Sequence, residues 1–272
     1  YANLFARHCP IIQIDIDPAE FNKNIDVTLK LGGDAKQILS LLNEKLEQQN
    51  HKEWIEQIKA WKKEYPLRQE AIDPNGVTPQ MLFDALNELT KSEAIIATEV
   101  GQHQMWAAQF YEFRHPRQFI TSGGLGTMGF GLGAAMGAQV ANPDKKVINI
   151  AGDGSFHMNC NELSTLAKYQ IPMMELVVDN SVLGMVRQWQ KLFYDNRFSQ
   201  TTQDKKTDFV KLAEAFGVKA FEIHTKDELI PVLKEALGLK EPVLVACHIH
   251  RDFNVLPMVP AGASAEEPIL EM

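Results

Sequence analysis

A carboxylate between two glycines and a lone amide beyond the next predicted strand are the residues of this sequence whose types and spacing most suggest chemistry. Asp153 lies between Gly152 and Gly154, and 25 residues separate Gly154 from Asn180. This is about the length that a turn, a crossover helix and a strand require, so we expect both side chains at one edge of a parallel sheet. A carboxylate and an amide oxygen make a good partial coordination shell for Mg²⁺, and they leave coordination positions for phosphate oxygens. The stretch therefore predicts a diphosphate bound through Mg²⁺.

A simpler interpretation of the same stretch is a strand-end turn at 152–154 and an ordinary asparagine cap at Asn180. Gly-Asp-Gly alone favours that interpretation, whereas the second oxygen ligand at strand-to-strand spacing favours the magnesium site. A neighbouring stretch, Gly124 to Gly129, fits the GxGxxG pattern of dinucleotide-binding loops. The acidic residue that this pattern requires at the end of the next strand is replaced by the Gly-Asp-Gly turn, so a nicotinamide site is not expected.

From Val77 onward, predicted strands alternate with predicted helices. The strands are continuous runs of Val, Ile and Leu, which are typical of a parallel sheet that helices cover on both faces. The predicted strands are 94–101, 118–122, 146–154, 173–180, 219–224 and 242–250. The carboxyl ends of such strands share one edge of the sheet, where ligands bind. The expected fold class is therefore α/β, a doubly wound parallel sheet preceded by the truncated end of a central α/β domain.

The first 75 residues differ in pattern from the rest of the chain. Residues 9–17, CPIIQIDID, predict a buried strand, and Asp34 is the predicted N-cap of the helix that follows. The stretch KEWIEQIKAWKKEYPL predicts an amphipathic connecting helix, and DPNG at 73–76 predicts a turn. We therefore expect three parts, which are the C-terminal remnant of a larger domain at 1–50, a helical connector at 51–75 and the main domain at 76–272.

Composition excludes several functional classes. The net charge of −8 and the pI near 5.5 argue against nucleic-acid and anionic-membrane surfaces, which need clustered Lys and Arg. No apolar run approaches the roughly 20 residues that span a bilayer. The three cysteines are widely separated and form no CxxC pair, which disfavours a zinc site and a disulfide framework and favours a reducing cytoplasm.

Four longer stretches join the Gly-Asp-Gly and asparagine motif in a resemblance to a known family. They are VGQHQMWAAQFY, FITSGGLGTMGFGLGAAMGAQVA, GMVRQWQKLFY and PMVPAGAS. Together they resemble the thiamine-diphosphate-dependent enzymes and, among these, the catalytic large subunit of acetohydroxyacid synthase (acetolactate synthase). The resemblance covers nearly the whole chain. Residues 1–50 are similar to the end of that family's central FAD-binding domain and 76–272 to its domain for thiamine diphosphate, of pyrophosphate type, whereas this chain has no counterpart of the N-terminal pyrimidine-binding domain.

The resemblance implies roles for individual residues. The ligands of Mg²⁺ are expected to be the side chains of Asp153 and Asn180 and the main-chain carbonyl of Val182. Trp189 matches a residue that favours 2-ketobutyrate as the second substrate. The positions that match contacts to the diphosphate, the support beneath the bent cofactor and the surroundings of its pyrimidine ring are Val100, Gln102, His103, Gly126, Met128, Gly152, Gly154, Ser155 and Met185. Asp179 departs from the family, in which many members carry Asn, but it precedes the ligand and does not remove it.

The implied activity is the decarboxylation of pyruvate and its carboligation to a second 2-keto acid in branched-chain amino acid biosynthesis. Pyruvate as the acceptor gives 2-acetolactate, and 2-ketobutyrate gives 2-aceto-2-hydroxybutyrate. The glutamate that activates the cofactor lies in this family on the N-terminal domain of a neighbouring subunit, so we expect no catalytic residue in this chain and no activity of the chain alone. Structural FAD, a homodimer or tetramer, a small regulatory subunit and a cytoplasmic location are further expectations. Two alternatives remain open, another thiamine-diphosphate 2-keto-acid decarboxylase or oxidase and a non-catalytic module that binds a cofactor or another subunit.

Overall fold

The computed structural model describes residues 4–203 and 207–271. Contacts divide the chain into two compact units. One consists of the described residues up to Leu67 together with those from Leu256, and the other runs from Arg68 to Val255. The predicted division placed the residues after 255 in the main domain, whereas their contacts group them with the first unit. The three-part domain division at 50 and 75 stays a prediction.

The first unit contains a small parallel sheet and two helices. Strands β1 (Ile12–Asp15) and β2 (Leu29–Gly32) pair in parallel, a 3-10 turn at Pro18–Glu20 lies between them, and helices α1 (Ala35–Lys45) and α2 (Lys52–Glu64) follow. The predicted cap of α1 is confirmed, because Asp34 Oδ1 accepts the N–H of Gln37 at 3.0 Å.

The prediction of a buried strand at 9–17 was wrong in its burial and its length. Strand β1 covers four residues, and the side chain of Ile12 is 59% exposed. The strand pairs with β2, and none of its residues is fully buried. A run of β-branched residues predicts a strand but does not predict how well other elements cover it.

The second unit is built from six strands and eight helices in its described part. It begins with α3 (Pro79–Thr90), whose N-cap Thr78 accepts the N–H of Met81 at 3.0 Å. The strands are β3 (Ile95–Thr98), β4 (Phe119–Thr121), β5 (Val147–Gly152), β6 (Met174–Asp179), β7 (Lys219–Ile223) and β8 (Val243–His248). The other helices are α4 (Gln102–Phe110), α5 (Gly131–Ala141), α6 (Asp153–Phe156), α7 (Leu163–Lys168), α8 (Gly184–Phe193), α9 (Phe209–Ala215) and α10 (Lys226–Gly238).

All six strands of this unit are parallel, in the order β4-β3-β5-β6-β8-β7. From β3 the chain runs outward to β4 and then returns past β3 to β5, so the direction of winding reverses between β3 and β5. The loops that leave these two neighbouring strands diverge at their carboxyl ends. A crevice at such a reversal is where doubly wound sheets bind ligands.

Helices cover both faces of this sheet. Successive residues of a strand point to opposite faces, so Ile148 and Ile150 pack with α3, α4 and α10, whereas Val147 and Ala151 pack with α5, α7 and α9. Burial of each large aliphatic side chain contributes about 1.5–3 kcal/mol. This arrangement confirms the predicted doubly wound α/β fold. Among the described helices, none combines the length and the apolar character needed to cross a membrane.

Candidate functional site

A cavity of about 270 Å³ opens at the carboxyl ends of β3, β5 and β6. We call it the strand-end cavity. It brings together every residue that the sequence assigned to metal or cofactor binding. These residues are Val100, Gln102, His103, Gly126, Met128, Gly152, Asp153, Gly154, Ser155, Asn180, Val182 and Met185. They come from four separate loops, so the parallel sheet is what places them side by side.

Asp153 provides the carboxylate of the strand-end cavity. It is the first residue of α6, directly after β5, and only 4% of it is exposed. Burial raises the pKa of its carboxyl group from 3.8 to about 7, and the nearby charge of Asp179 adds to this rise. Backbone hydrogen bonds from Gly154 and Ser181 oppose it. A cation next to this group favours its ionised form, so the environment of Asp153 suits a bound metal ion better than a free carboxylate.

A sharp turn after β6 presents Asn180 and Val182 to the cavity. Ser181 at its centre has a φ of 57°, which is left-handed. Asp179 Oδ1 stabilises this conformation by accepting hydrogen bonds from the Ser181 N–H at 2.8 Å and Oγ at 3.2 Å. Asn180 Oδ1 accepts the N–H of Val182 at 3.2 Å. Within residues 4–203 and 207–271 no hydrogen bond is made to the Val182 carbonyl, which leaves that oxygen available to a ligand.

Gln102 positions the Asn180 amide. The Nε2 of Gln102 donates to Gln188 Oε1 at 2.8 Å and to the Phe253 carbonyl at 3.0 Å, so both of its N–H groups are used within the protein. Its Oε1 accepts a 3.4 Å hydrogen bond from Asn180 Nδ2. This bond fixes the orientation of the Asn180 amide, so that its Oδ1 points away from Gln102. Gln188 is held in turn by the backbone N–H and carbonyl of Val255, both at 2.9 Å. The sequence matched Gln102 to a residue that contacts a diphosphate, whereas here its side chain is committed to this network.

His103 contributes a nitrogen without a partner. Burial lowers the pKa of its ring to about 3, opposed by a hydrogen bond to the backbone of Glu99, so the ring is neutral near pH 7. Among the described residues, its Nε2 is buried and makes no hydrogen bond. Buried polar atoms are nearly always paired. Because His103 lines the cavity, a ligand there is the natural source of the missing partner.

Gly152 and Gly154 allow the backbone of the turn to lie close to the His103 ring and to the Leu183 side chain. A Cβ atom added at Gly152 would lie 2.7 Å from His103 Nδ1, which real structures do not tolerate. One added at Gly154 would overlap the Leu183 side chain. Ser155 closes the turn, because its Oγ donates to the Gly152 carbonyl and accepts the Gly152 N–H, each at 3.1 Å. The Gly-Asp-Gly turn therefore keeps its backbone open toward the cavity.

Glu99 ties the loop that carries Met128 to the end of β3. It is buried, and its carboxylate accepts the N–H groups of Gly129, Gly131 and Leu132 at 2.6, 2.8 and 3.2 Å. Burial raises the pKa of Glu99, and these backbone hydrogen bonds oppose the rise. The sequence prediction assigned no role to Glu99, although an acidic residue near the carboxyl end of the predicted strand 94–101 was an available signal. Gln188 was also missed, and nothing in its local sequence distinguished it from other helix residues.

Trp189 lies outside the strand-end cavity. It lines a neighbouring depression with Met185, Val186, Tyr194 and other residues of this region, and Met185 and Val186 border both spaces. Its ring is in edge-to-face contact with Phe193, with 5.7 Å between the ring centroids. The structure thus places Trp189 next to the cavity and on its accessible side.

Comparison with known proteins agrees with this geometry. Residues 99–247 match the family model described as "Thiamine pyrophosphate enzyme, C-terminal TPP binding domain", thiamine pyrophosphate being the other name of thiamine diphosphate. The matched segment begins directly after β3 and contains all the cavity residues assigned above.

Curated relatives carry the same resemblance along nearly the whole chain. The chain is 44% identical to the probable acetolactate synthase large subunit of Methanococcus aeolicus, over 95% of this chain and 46% of that protein. It is 42% identical to the acetolactate synthase isozyme 2 large subunit of Escherichia coli, over 97% of this chain and 48% of that protein. It is 43% identical to the mitochondrial acetolactate synthase catalytic subunit of Saccharomyces cerevisiae, over 94% of this chain and 38% of that protein. The chain therefore spans about half the length, or less, of the relatives it matches. These findings confirm the resemblance seen in the sequence, and the chain belongs to the family of thiamine pyrophosphate enzymes through their C-terminal, TPP-binding domain.

Proposed function

We propose that this chain is the cofactor-binding portion of an acetolactate synthase large subunit. In this proposal the chain binds thiamine diphosphate through Mg²⁺. The complete enzyme decarboxylates pyruvate and joins the remaining two-carbon unit to pyruvate or 2-ketobutyrate. The observation that carries the proposal is the strand-end cavity, whose lining includes the residues that the sequence assigned to the metal and the cofactor. The names of the relatives support the choice of reaction.

The residues of the cavity fit the proposed ligands. Asp153 offers a carboxylate, Asn180 an amide oxygen and Val182 a free carbonyl, which are the hard oxygen donors that Mg²⁺ prefers. The unpaired nitrogen of His103 and the open backbone at Gly152 and Gly154 suit a diphosphate. Anionic oxygens raise the pKa of a neighbouring imidazole, so binding of the diphosphate is expected to protonate His103 and turn its Nε2 into a donor.

The chain's own part in the reaction is to bind and orient the cofactor and to shield it from water. Thiamine diphosphate, when bound, supplies the electron sink that decarboxylation of a 2-keto acid requires. Gln102 and Gln188 hold the Asn180 amide in place through the hydrogen bonds described above. Met128 and Met185 line the same cavity, and their apolar side chains would help to exclude water around the bound cofactor. Trp189 would contact the second 2-keto acid from the neighbouring depression.

The chain supplies half of the active site in this proposal. Asp153 is the one carboxylic acid among the described residues that line the cavity, and it is assigned to the metal. The glutamate that activates the cofactor is therefore proposed to come from the N-terminal domain of a neighbouring subunit in a homodimer or tetramer. Bound FAD, a regulatory subunit and a cytoplasmic location belong to the same proposal.

Product analysis tests the proposed activity. The complete enzyme, given pyruvate, is expected to release CO₂ and form 2-acetolactate, and added 2-ketobutyrate is expected to divert the product to 2-aceto-2-hydroxybutyrate. Formation of acetaldehyde or an oxidised acyl product instead would assign the chain to a different thiamine-diphosphate enzyme. Cofactor binding without turnover by the complete protein would favour the alternative of a non-catalytic module. The isolated chain serves as the control, because it is expected to bind the cofactor without turning over pyruvate.

A further inference from the structure

Two histidines and a glutamate meet at the carboxyl ends of β7 and β8. The register pairs Ile223 of β7 with Cys247 of β8. The next residue of each strand, His224 and His248, therefore lies opposite the other on the same face of the sheet. Glu222, two residues before His224, lies on that face as well. One ligand atom from each of the three side chains can be chosen so that all lie within 4.8 Å of one another. Cysteine spacing in the sequence disfavoured a zinc site, and nothing in it predicted this cluster, because its members are brought together by the pairing of two distant strands.

The three side chains direct their donor atoms to one place. His248 Nε2 lies 2.7 Å from Glu222 Oε1, and His224 Nε2 lies 3.2 Å from Glu222 Oε2. The two imidazole rings are stacked, with 4.4 Å between centroids and 3° between planes. Both rings thus turn the same edge toward one carboxylate, and an ion at that edge would be in reach of all three groups.

Asp179 orients the second histidine from behind. His248 Nδ1 lies 3.3 Å from Asp179 Oδ2, so the carboxylate holds this nitrogen and leaves Nε2 facing Glu222. A carboxylate behind a histidine is the usual outer partner of a metal-binding imidazole, where it fixes the tautomer and strengthens the ligand. The carboxylates of Asp179 and Glu222 also make the charge around His248 negative, which favours a cation.

We propose that Glu222, His224 and His248 form a binding site for a divalent transition-metal ion of the Zn²⁺ type, separate from the site of Asp153 and Asn180. Two imidazole nitrogens and one carboxylate oxygen are a recognised three-ligand set for zinc, with a fourth position for water. Mg²⁺ is not the expected occupant, because it prefers oxygen donors alone. The groove around the cluster, about 550 Å³, has room for the ion and its water, and the ligands are accessible to solvent.

Binding needs only small movements. Bonds of about 2.0–2.1 Å in a tetrahedral zinc site place neighbouring donor atoms about 3.3 Å apart. At present His248 Nε2 lies 2.7 Å from Glu222 Oε1 and His224 Nε2 lies 3.2 Å from Glu222 Oε2, so each imidazole nitrogen is already within this spacing of a carboxylate oxygen. The two stacked rings would tilt apart so that both nitrogen lone pairs point at the ion, and the exposed position of His224 leaves space for that rotation.

Calorimetric titration with Zn²⁺ tests the proposal, in excess Mg²⁺ so that the oxygen site of Asp153 does not contribute. The chain is expected to bind one zinc ion in a saturable manner, and His224→Ala and His248→Ala are each expected to weaken this binding by about tenfold or more. Asp179→Asn, which removes the outer carboxylate, is expected to weaken it by about 10–100-fold. The matched control is His115→Ala, which removes a histidine that pairs with Glu93 at 2.9 Å on a different part of the surface and should leave the titration unchanged.

X-ray absorption of the zinc-loaded chain identifies the ligands directly. Two imidazole nitrogens are expected in the wild type and one in each histidine variant. Glu222→Gln keeps the packing and removes the charge, so it tests the site even if an alanine variant folds poorly, which circular dichroism would reveal. The proposal is overturned if the chain shows no saturable zinc binding, if the histidine variants bind zinc as the wild type does, or if His115→Ala weakens the binding equally.

Discussion

Replacement of Asp153 by Asn should stabilise the metal-free chain while it removes the metal site. Burial, with the charge of Asp179, raises the pKa of this carboxyl from 3.8 to about 7 in the folded chain. Between these values the unfolded chain loses the proton and the folded chain keeps it. The free energy of unfolding therefore falls as the pH rises through this window. A shift of about 3 pKa units corresponds to a cost of about 4 kcal/mol at pH 8.

Asp153→Asn removes this cost because a neutral amide of nearly the same shape replaces the carboxylate. The variant is expected to be more stable than the wild type by up to about 4 kcal/mol at pH 8, and by roughly half of that or less at pH 5. Mg²⁺ should stabilise the wild type and have no effect on the variant, because the ligand charge is gone. Stabilisation without metal and loss of the response to metal are thus expected from one substitution.

Native-state hydrogen exchange of the amides in β5 and β6 is the appropriate assay, because it reports on the unit that contains Asp153 rather than on the whole chain. The measurements are made in a chelator at pH 5 and pH 8, with correction for the intrinsic exchange rates. Asp144→Asn is the matched control, since it makes the same chemical change at an exposed position. If Asp153→Asn is no more stable than the Asp144 variant at pH 8, or if the difference does not shrink at pH 5, the reasoning from burial is refuted.

Four further substitutions test the packing around the cavity and the buried charge of the same unit. Gly131→Ala should lower the free energy of unfolding by about 1–3 kcal/mol in hydrogen exchange, because the added Cβ would lie 2.7 Å from backbone atoms at the end of β3. Gly133→Ala on the same helix meets nothing within 4 Å and should raise it, by up to about 1 kcal/mol. Glu175→Gln should raise the stability at pH 8, because burial keeps the pKa of Glu175 well above 4.5 and stability is lost as the pH rises above that value. Gly152→Ala should weaken thiamine diphosphate binding by about tenfold or more in calorimetry, because its methyl group would lie 2.7 Å from His103 Nδ1.

Each of these expectations has an outcome that contradicts it. Equal effects of the two helix substitutions would show that close packing at Gly131 is not the cause. If the difference in the free energy of unfolding between Glu175→Gln and the wild type is the same at pH 5 and pH 8, this carboxyl ionises as it does in the unfolded chain. Unchanged cofactor affinity in Gly152→Ala would show that the ligand does not depend on the contact between this turn and His103.

The fold of the main unit followed from local patterns, but its detailed topology did not. Continuous apolar strands separated by helices predicted a parallel sheet, and the spacing from Asp153 to Asn180 predicted that the two residues share an edge. Both predictions hold because βαβ units impose one handedness and one direction on successive strands. The placement of β8 between β6 and β7 depends on packing between distant segments, and no local pattern encodes it.

The residues that sequence reasoning missed act through distant partners. Glu99 binds N–H groups more than 29 residues further along the chain, and Gln188 is held by the backbone of Val255. A glutamate after a strand and a glutamine within a helix look ordinary until the tertiary structure supplies their partners. The same holds for His224 and His248, which become neighbours only through the pairing of β7 with β8.

Calorimetric titration of the chain with thiamine diphosphate, with and without Mg²⁺, asks whether the strand-end cavity binds a diphosphate through a metal ion. We expect saturable binding that requires Mg²⁺ and is lost in Asp153→Ala, while Asp144→Ala binds as the wild type does. Binding that is independent of Mg²⁺, or that survives in Asp153→Ala, would contradict the claim that the strand-end cavity holds a diphosphate through a metal ion.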